Sequence, residues 1–201
     1  MESGNRAQAR TDADAAVKLA PIRDVRAMTA LALARAGDTA GAEKLAAELD
    51  KHFPLDTLVQ RYWLPTIGAA VALQQEDPNR AVELLKGATT IELGQTTQLN
   101  IVLCPVYVRG EAYLALHDGK AAAAEFQKFI DHYGLVDNFP WGALARLGLA
   151  RAYALESTTD PAARDKARTA YQNFLTLWED ADPDIPIYQQ AKAEYARLQR
   201  K

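Results

Sequence analysis

The amino-acid sequence predicts an all-α fold built from pairs of helices that stack as a solenoid. Apolar residues recur with a helical period along nearly the whole chain. Alanine is abundant and β-branched residues are sparse, which favours helix over strand. Turn signals fall at nearly regular intervals, as expected when short helices alternate with short connections.

The helices are predicted from the apolar period and from the residues that begin and end helices. Gly37-Asp38, Asp77-Pro78, Asp118-Gly119 and Asp160-Pro161 each separate two helical stretches with an aspartate that can cap the second one. The predicted helices are 5–18, 22–36, 39–51, 57–75, 78–88, 99–117, 120–132, 141–155, 161–178 and 186–199. The stretch 87–98 has little periodicity and is predicted to be a loop. Residues 1–20 are interpreted as a partial helix at the start of a fragment, and residues 21–201 as one helical-repeat domain.

The composition excludes several classes of protein. The 201-residue chain carries a formal net charge of −3, with basic and acidic residues interspersed, so we expect no nucleic-acid partner. Cys104 is the only cysteine, which excludes an intramolecular disulfide and a cysteine-based zinc site. We find no apolar run long enough to span a membrane and expect no direct membrane insertion by this segment. The cellular location is left open, including tethering to the bacterial inner membrane through an upstream parent protein.

The third helix pair carries the clearest internal repeat. Val106, Arg109-Gly110 and Tyr113 on its first helix are followed by Ala122, Phe126 and Phe129 on its second. Small residues at Gly110 and Ala122 allow the two helices to approach closely, and the aromatic rings fill the space towards the neighbouring pairs. This arrangement resembles the consensus of the tetratricopeptide repeat (TPR).

The other pairs fit the same frame more loosely. The equivalent second-helix alanines are Ala42, Ala81, Ala122 and Ala167, which lie 39, 41 and 45 residues apart. A standard TPR repeats at about 34 residues, so the extra length is expected in the loops. The resemblance implies a right-handed α-α superhelix of about four degenerate TPR helix pairs plus a C-terminal capping helix.

A longer resemblance covers roughly residues 25–198. The segments YVRGEAYLALHDGKAAAAEFQKFIDHYG, GALARLGLARAYAL and AYQNFLTLWEDADPDIPIYQQAKAEYARLQ look like the C-terminal TPR region of large bacterial serine/threonine protein kinases. In such proteins the kinase domain lies upstream of the repeats. The chain has no glycine-rich phosphate loop, His-Arg-Asp catalytic loop or Asp-Phe-Gly motif, so the resemblance implies a non-catalytic region.

No catalytic, cofactor or metal site is predicted. His52, His117 and His132 lie near predicted helix ends without a second ligand at helical spacing, so favourable interaction with the helix C-terminus is the preferred interpretation. Cys104 is interpreted as a buried structural thiol. The acidic cluster 180–184 lacks the glycine and the distant glutamate of a calcium loop.

A ligand groove is predicted from the first helices, which line the concave face in TPR proteins. The candidate groove residues are Trp63, Thr66, Leu73, Tyr107, Glu111, Leu114, Leu147 and Arg151. Ala27 and Leu31 occupy the first-repeat positions where chaperone-binding TPRs carry a carboxylate clamp, so that clamp is not expected.

The leading hypothesis is a non-catalytic module that binds a protein or peptide partner of unknown identity and serves as the regulatory or partner-sensing region of such a kinase. One alternative is an oligomerisation module of a signalling protein or transcriptional regulator, acting by self-association. Another is a small-molecule sensor that uses the concave groove. An enzyme is not expected for this chain.

Overall fold

The computed structural model describes residues 6–94, 103–136 and 139–200, and within these ranges the protein is all-α with eleven α-helices and no β-strand. The helices are α1 (Arg6–Leu19), α2 (Arg23–Arg35), α3 (Thr39–His52), α4 (Leu64–Gln74), α5 (Pro78–Leu85), α6 (Cys104–Ala115), α7 (Gly119–Asp131), α8 (Tyr133–Val136), α9 (Trp141–Glu156), α10 (Pro161–Leu177) and α11 (Pro186–Arg200). Sequential helices pack in antiparallel fashion.

The predicted helices are confirmed wherever the structure describes them, with two additions. The predicted helix 57–75 contains a π-helical turn, Val59–Trp63, before α4. The four-residue helix α8 was not predicted. Within the predicted loop 87–98, a 3₁₀ turn that begins at Lys86 ends at Ala88 and turns follow up to residue 94. Residues 95–98, and residues 99–102 of the predicted helix 99–117, lie outside the described residues.

Four aspartates cap the second helices of the pairs, as the turn signals predict. The carboxylates of Asp38, Asp77 and Asp118 each accept a hydrogen bond from the backbone N–H three residues further on, at 3.0, 2.9 and 2.9 Å. The Asp160 carboxylate accepts instead from the N–H of Ala162, two residues on, at 2.9 Å. Each cap satisfies a backbone donor that the first turn of a helix leaves without a partner.

The first three of these connections share one backbone geometry. The residue before the aspartate has a positive φ: 82° at Gly37, 61° at Glu76 and 57° at His117. The N–H of this positive-φ residue donates a hydrogen bond to the carbonyl three residues back. The N–H of the aspartate donates to the carbonyl five residues back. This is the Schellman motif, which ends a helix by satisfying its last carbonyls. The connection from α9 to α10 does not repeat it, because Asp160 N–H bonds Glu156 O four residues back.

The chain divides into two compact units, one ending at Val108 and one beginning at Arg109, so that the division falls inside α6. In the first unit, α2 packs with α1, α3 and α4, and α4 packs with α3 and α5. In the second unit, α9 packs with α7, α8 and α10, and α10 packs with α11. The equivalent alanines of the repeat frame are fully buried in both units: Ala42, Ala81, Ala122 and Ala167.

The second unit is closely packed around the ring of Phe126. A Cβ atom added to Gly110 would lie 2.7 Å from that ring, and one added to Gly148 would lie 2.6 Å from it. The missing side chains therefore make the space that the ring occupies, as the sequence predicts for Gly110. Next to it, the Arg109 guanidinium donates to the Glu125 carboxylate at 2.6 Å, and only 4% and 12% of the two side chains are exposed.

None of the described helices is long and apolar enough to cross a membrane.

Candidate ligand-binding groove

Two of the predicted groove residues lie in the core of the first unit. Trp63 and Thr66 are fully buried, and the Trp63 ring packs edge-on against Tyr62 with the ring centroids 5.1 Å apart. The Thr66 hydroxyl donates to the Tyr62 carbonyl at 2.5 Å. The physical reason is that α4 is apolar on nearly all sides and packs against α2, α3 and α5, so that more than one of its faces is buried. These two side chains are not accessible to a ligand.

The other predicted residues on α4 and α6 are divided. Leu73, Glu111 and Leu114 are half-buried. Tyr107 is buried, and the Arg35 guanidinium lies over its ring, 5.1 Å from the centroid. The Tyr107 ring therefore makes a cation–π contact with Arg35 inside the first unit and is not open to a ligand.

The two predicted residues on α9 differ in the same way. Leu147 is buried in the second unit. Arg151 is half-exposed and donates two hydrogen bonds of 3.0 Å to the Glu194 carboxylate on α11. The hydroxyl of Tyr171, on α10, also donates to Glu194 at 3.0 Å. Burial raises the pKa of Tyr171 above its ordinary value, and the Glu194 charge raises it further.

The first unit holds an open groove of about 620 Å³ between α3, α4 and α5. Its floor is apolar, and its rim is polar. We use the name floor for the apolar lining residues, Ala46, Ala47, Leu64, Pro65, Ile67, Gly68, Val71, Ala72 and Leu84, and the name rim for the polar ones, Glu43, Asp50, Gln60, Gln75 and Arg80. An apolar concave surface with a few polar groups at its edge is the usual form of a binding site in proteins.

The groove exists because one position of the repeat frame is small. Ala46 lies four residues after the buried Ala42, and the equivalent residues on the other second helices are Leu85, Phe126 and Tyr171. Those three larger side chains are all buried, at 0%, 1% and 3% exposure, whereas Ala46 is half-exposed. The volume that a larger residue would fill therefore remains open on α3.

The rim of the groove has opposite charges on two different helices. Glu43 and Asp50 lie on α3, and Arg80 lies on α5. Asp50 also accepts a hydrogen bond from the Gln60 amide at 2.8 Å, which connects two of the lining residues. An occupant with a basic group on the α3 side and an acidic group on the α5 side would complement these charges.

Within the described residues, no group of three or more His, Cys, Asp or Glu residues is placed to hold a metal ion. Burial raises the pKa of the Cys104 thiol to about 12, which keeps it protonated and unreactive near neutral pH. This agrees with its interpretation as a buried structural thiol.

The histidines lie at helix ends, as the sequence predicts. His52 is the last residue of α3, where its Nδ1 lies 2.7 Å from the Glu48 carbonyl oxygen. His117 lies in the turn after α6, and His132 follows the last residue of α7. These are positions where the carbonyl groups of a helix end can interact with a histidine.

The groove residues on α3 and α5 were not identified from the sequence. The available signal was the size of the side chain at one position of the repeat frame, alanine at position 46 against leucine, phenylalanine and tyrosine at the equivalent positions.

Comparison with models of protein families, with curated proteins and with solved structures finds no match for this chain.

Proposed function

We propose that the chain is a non-catalytic helical-repeat module of the TPR type that binds a segment of another protein. The observation that carries the proposal is the groove on α3, α4 and α5, which has an apolar floor and a rim with acidic residues on α3 and a basic residue on α5. Peptide segments bind helical surfaces of this kind by inserting a few apolar side chains, with polar contacts at the edges.

The repeated connections support the TPR-type architecture. Three helix pairs begin their second helix with the same turn, the same aspartate cap and a fully buried alanine four residues later. Such equivalence is expected when one helix pair recurs along the chain. Stacking into a right-handed superhelix with a C-terminal capping helix is part of the proposal.

The proposed occupant is a segment with two or three apolar anchors, a basic residue at one end and an acidic residue at the other. The anchors would cover the floor beside Ala46 and Gly68. The basic residue would lie near Asp50 and the acidic one near Arg80. The small floor residues leave room for a bulky apolar side chain, and the charges at the rim would set the direction of the segment.

Selection of peptides from a random library on the full 201-residue chain tests this proposal. We expect the selected peptides to share apolar anchors between a basic and an acidic residue, and to bind with a measurable, saturable affinity in fluorescence anisotropy. Ala46→Phe would fill the groove and weaken binding at least about tenfold, since it removes the pocket for an anchor.

Lys44→Phe is the matched control, because Lys44 is an exposed residue of the same helix that does not line the groove. It adds the same ring to α3 and should leave the affinity unchanged. Selected peptides without the expected pattern, or equal binding by the wild type and Ala46→Phe, would contradict the proposal.

The context of the module is a separate proposal that rests on the sequence resemblance alone. We propose that the chain is the regulatory or partner-sensing region of a bacterial serine/threonine protein kinase. The coding sequence upstream of this region tests it. A kinase catalytic domain in the same reading frame would support the proposal, and an unrelated protein or a separate gene there would overturn it.

A further inference from the structure

The second unit contains a cavity whose polar groups are different from those of the groove. It has a volume of about 350 Å³ and lies between the end of α9, the stretch of α10 from Arg164 to Tyr171 and the last turns of α11. Two arginines and one glutamate line it: Arg164, Arg197 and Glu194. Ala154 and Leu198 provide apolar wall, and the Ser157 and Thr158 hydroxyl groups lie at the α9 end.

The carboxylate in this cavity already has partners. Both Glu194 oxygens accept from the Arg151 guanidinium, and one of them also accepts from the Tyr171 hydroxyl. The negative charge of Glu194 is therefore matched by Arg151, which does not line the cavity. This leaves the two lining arginines without a carboxylate of their own among the residues that line the cavity.

The hydrogen-bonding capacity of those two arginines is largely unused. Arg164 donates from Nη2 to the Leu198 carbonyl at 3.0 Å, while its buried Nε has no partner in the part of the chain that the structure describes. Arg197 is exposed, and within the same ranges it takes part in no ion pair or hydrogen bond. A guanidinium has five N–H donors in a planar arrangement that matches two oxygen atoms of one anionic group.

From this geometry we infer that the cavity is a binding site for a small organic anion, whose carboxylate or phosphate group is held by Arg164 and Arg197. The remainder of the ligand lies against Ala154 and Leu198 and within reach of the Ser157 and Thr158 hydroxyl oxygens. The cavity volume limits the ligand to the size of an amino acid or a small phosphate ester, near the lower end of small-molecule sites.

Isothermal titration calorimetry on the full chain tests the inference, at constant ionic strength adjusted with sodium chloride. The probes are inorganic phosphate, glycerol phosphate and propionate, with glycerol and propionamide as the matched uncharged compounds. We expect saturable binding of at least one anionic probe, and no binding of the uncharged compounds. Binding of the two phosphates but not of propionate assigns the phosphate group, and binding of propionate alone assigns the carboxylate.

Arg197→Met is the decisive variant, because Arg197 is exposed and its loss leaves the packing of the unit intact. It should weaken binding of the anion at least about tenfold, which corresponds to the loss of one charge-assisted hydrogen bond. Arg200→Met removes a charge from the same helix without touching the cavity and should bind the anion as the wild type does. Equal weakening by Arg197→Met and Arg200→Met would show a general charge effect and overturn the site.

Absence of saturable binding by all three anions would also overturn it. Neither result bears on peptide binding by the groove of the first unit, which shares no residue with this cavity.

Discussion

Position 126 on α7 and position 171 on α10 occupy the same place in the repeat frame but have different surroundings. Phe126 lies between Gly110 and Gly148, where its ring fills the space that two side chains would take. Tyr171 is equally buried, but its hydroxyl donates to a carboxylate that is also paired with an arginine. A dry, closely packed contact in one pair thus corresponds to a hydrogen-bonded contact beside a cavity in the other.

The charged pairs beside these two positions differ in the same direction. Arg109 and Glu125 are nearly fully buried, whereas Arg151 and Glu194 are each 30% exposed. The difference shows that the same position of the repeat frame can be filled by apolar packing or can stand beside a cavity lined by polar groups. Ligand sites are expected where this position is not filled by a packed apolar side chain. Ala46 on α3 is a second such case, because its small side chain leaves space beside it.

The largest expected effect comes from the charged pairs. Glu125→Gln should lower the free energy of unfolding by about 3 kcal/mol, because it removes the negative charge that faces the Arg109 guanidinium in a nearly fully buried pair. Glu194→Gln should lower it by about 1 kcal/mol or less, since water screens the half-exposed pair. Urea denaturation measures both. Equal losses would show that burial does not distinguish the two pairs.

The glycine contact at Phe126 gives the next largest effect. Gly148→Ala should cost about 2 kcal/mol, because overpacking costs up to about 3 kcal/mol and loss of a helical glycine returns about 1 kcal/mol. Gly134→Ala is the control, since Gly134 is also helical and a Cβ there meets no atom within 4 Å, so this substitution should raise the free energy of unfolding by up to about 1 kcal/mol. The same urea experiment checks the pair, and a neutral Gly148→Ala would show that the Phe126 ring can move aside.

The tyrosine contact should give stability a dependence on pH. The pKa of Tyr171 is higher in the folded state than its ordinary value of 10.0, so the folded protein keeps a proton that the unfolded chain loses. The stabilisation is therefore complete below pH 10 and declines as the pH rises above it.

The variant Tyr171→Phe isolates this contribution. Between pH 9 and 11 the wild type should lose about 1 kcal/mol more than the variant, as measured by denaturant titration at each pH. At pH 7 the variant should be about 1 kcal/mol less stable, through loss of the hydrogen bond to Glu194. Parallel pH profiles for the two proteins would show that Tyr171 ionises as freely in the fold as in the unfolded chain.

The smallest effect is expected at the Schellman turns, which are shared by regions that otherwise differ. His117→Gly should raise the free energy of unfolding by about 0.5 kcal/mol, because glycine adopts a positive φ without steric cost. Gly37→Ala should lower it by about 1 kcal/mol for the converse reason. Thermal denaturation of the two variants measures both signs, and a destabilised His117→Gly would point to a contribution from the imidazole.

The helices and their caps could be predicted because their signals are local. An aspartate beside a glycine or proline marks the start of the second helix at Asp38, Asp77, Asp118 and Asp160. The alanines of the repeat frame are all buried. The burial of the α4 positions could not be predicted, because it depends on three other helices, α2, α3 and α5, all packing against α4.

The polar contacts were not predictable either. Arg151 and Glu194 are 43 residues apart and meet only because α9 and α11 both pack near α10. Arg109 and Glu125 lie on successive helices, and no local pattern shows that both turn inward. The sequence placed Arg151 among the groove candidates but gave no sign of its partner.

The identical turns at Gly37, Glu76 and His117 have a consequence for how the chain can change length. Each junction presents the same pair of ends, a closing helix and an aspartate that starts the next one. Joining Gly37 directly to Asp77 would recreate that junction while removing one complete hairpin. A whole helix pair can therefore be deleted or duplicated at these points while the same turn and cap are kept. The helical hairpin is thus the natural unit of recombination in this protein.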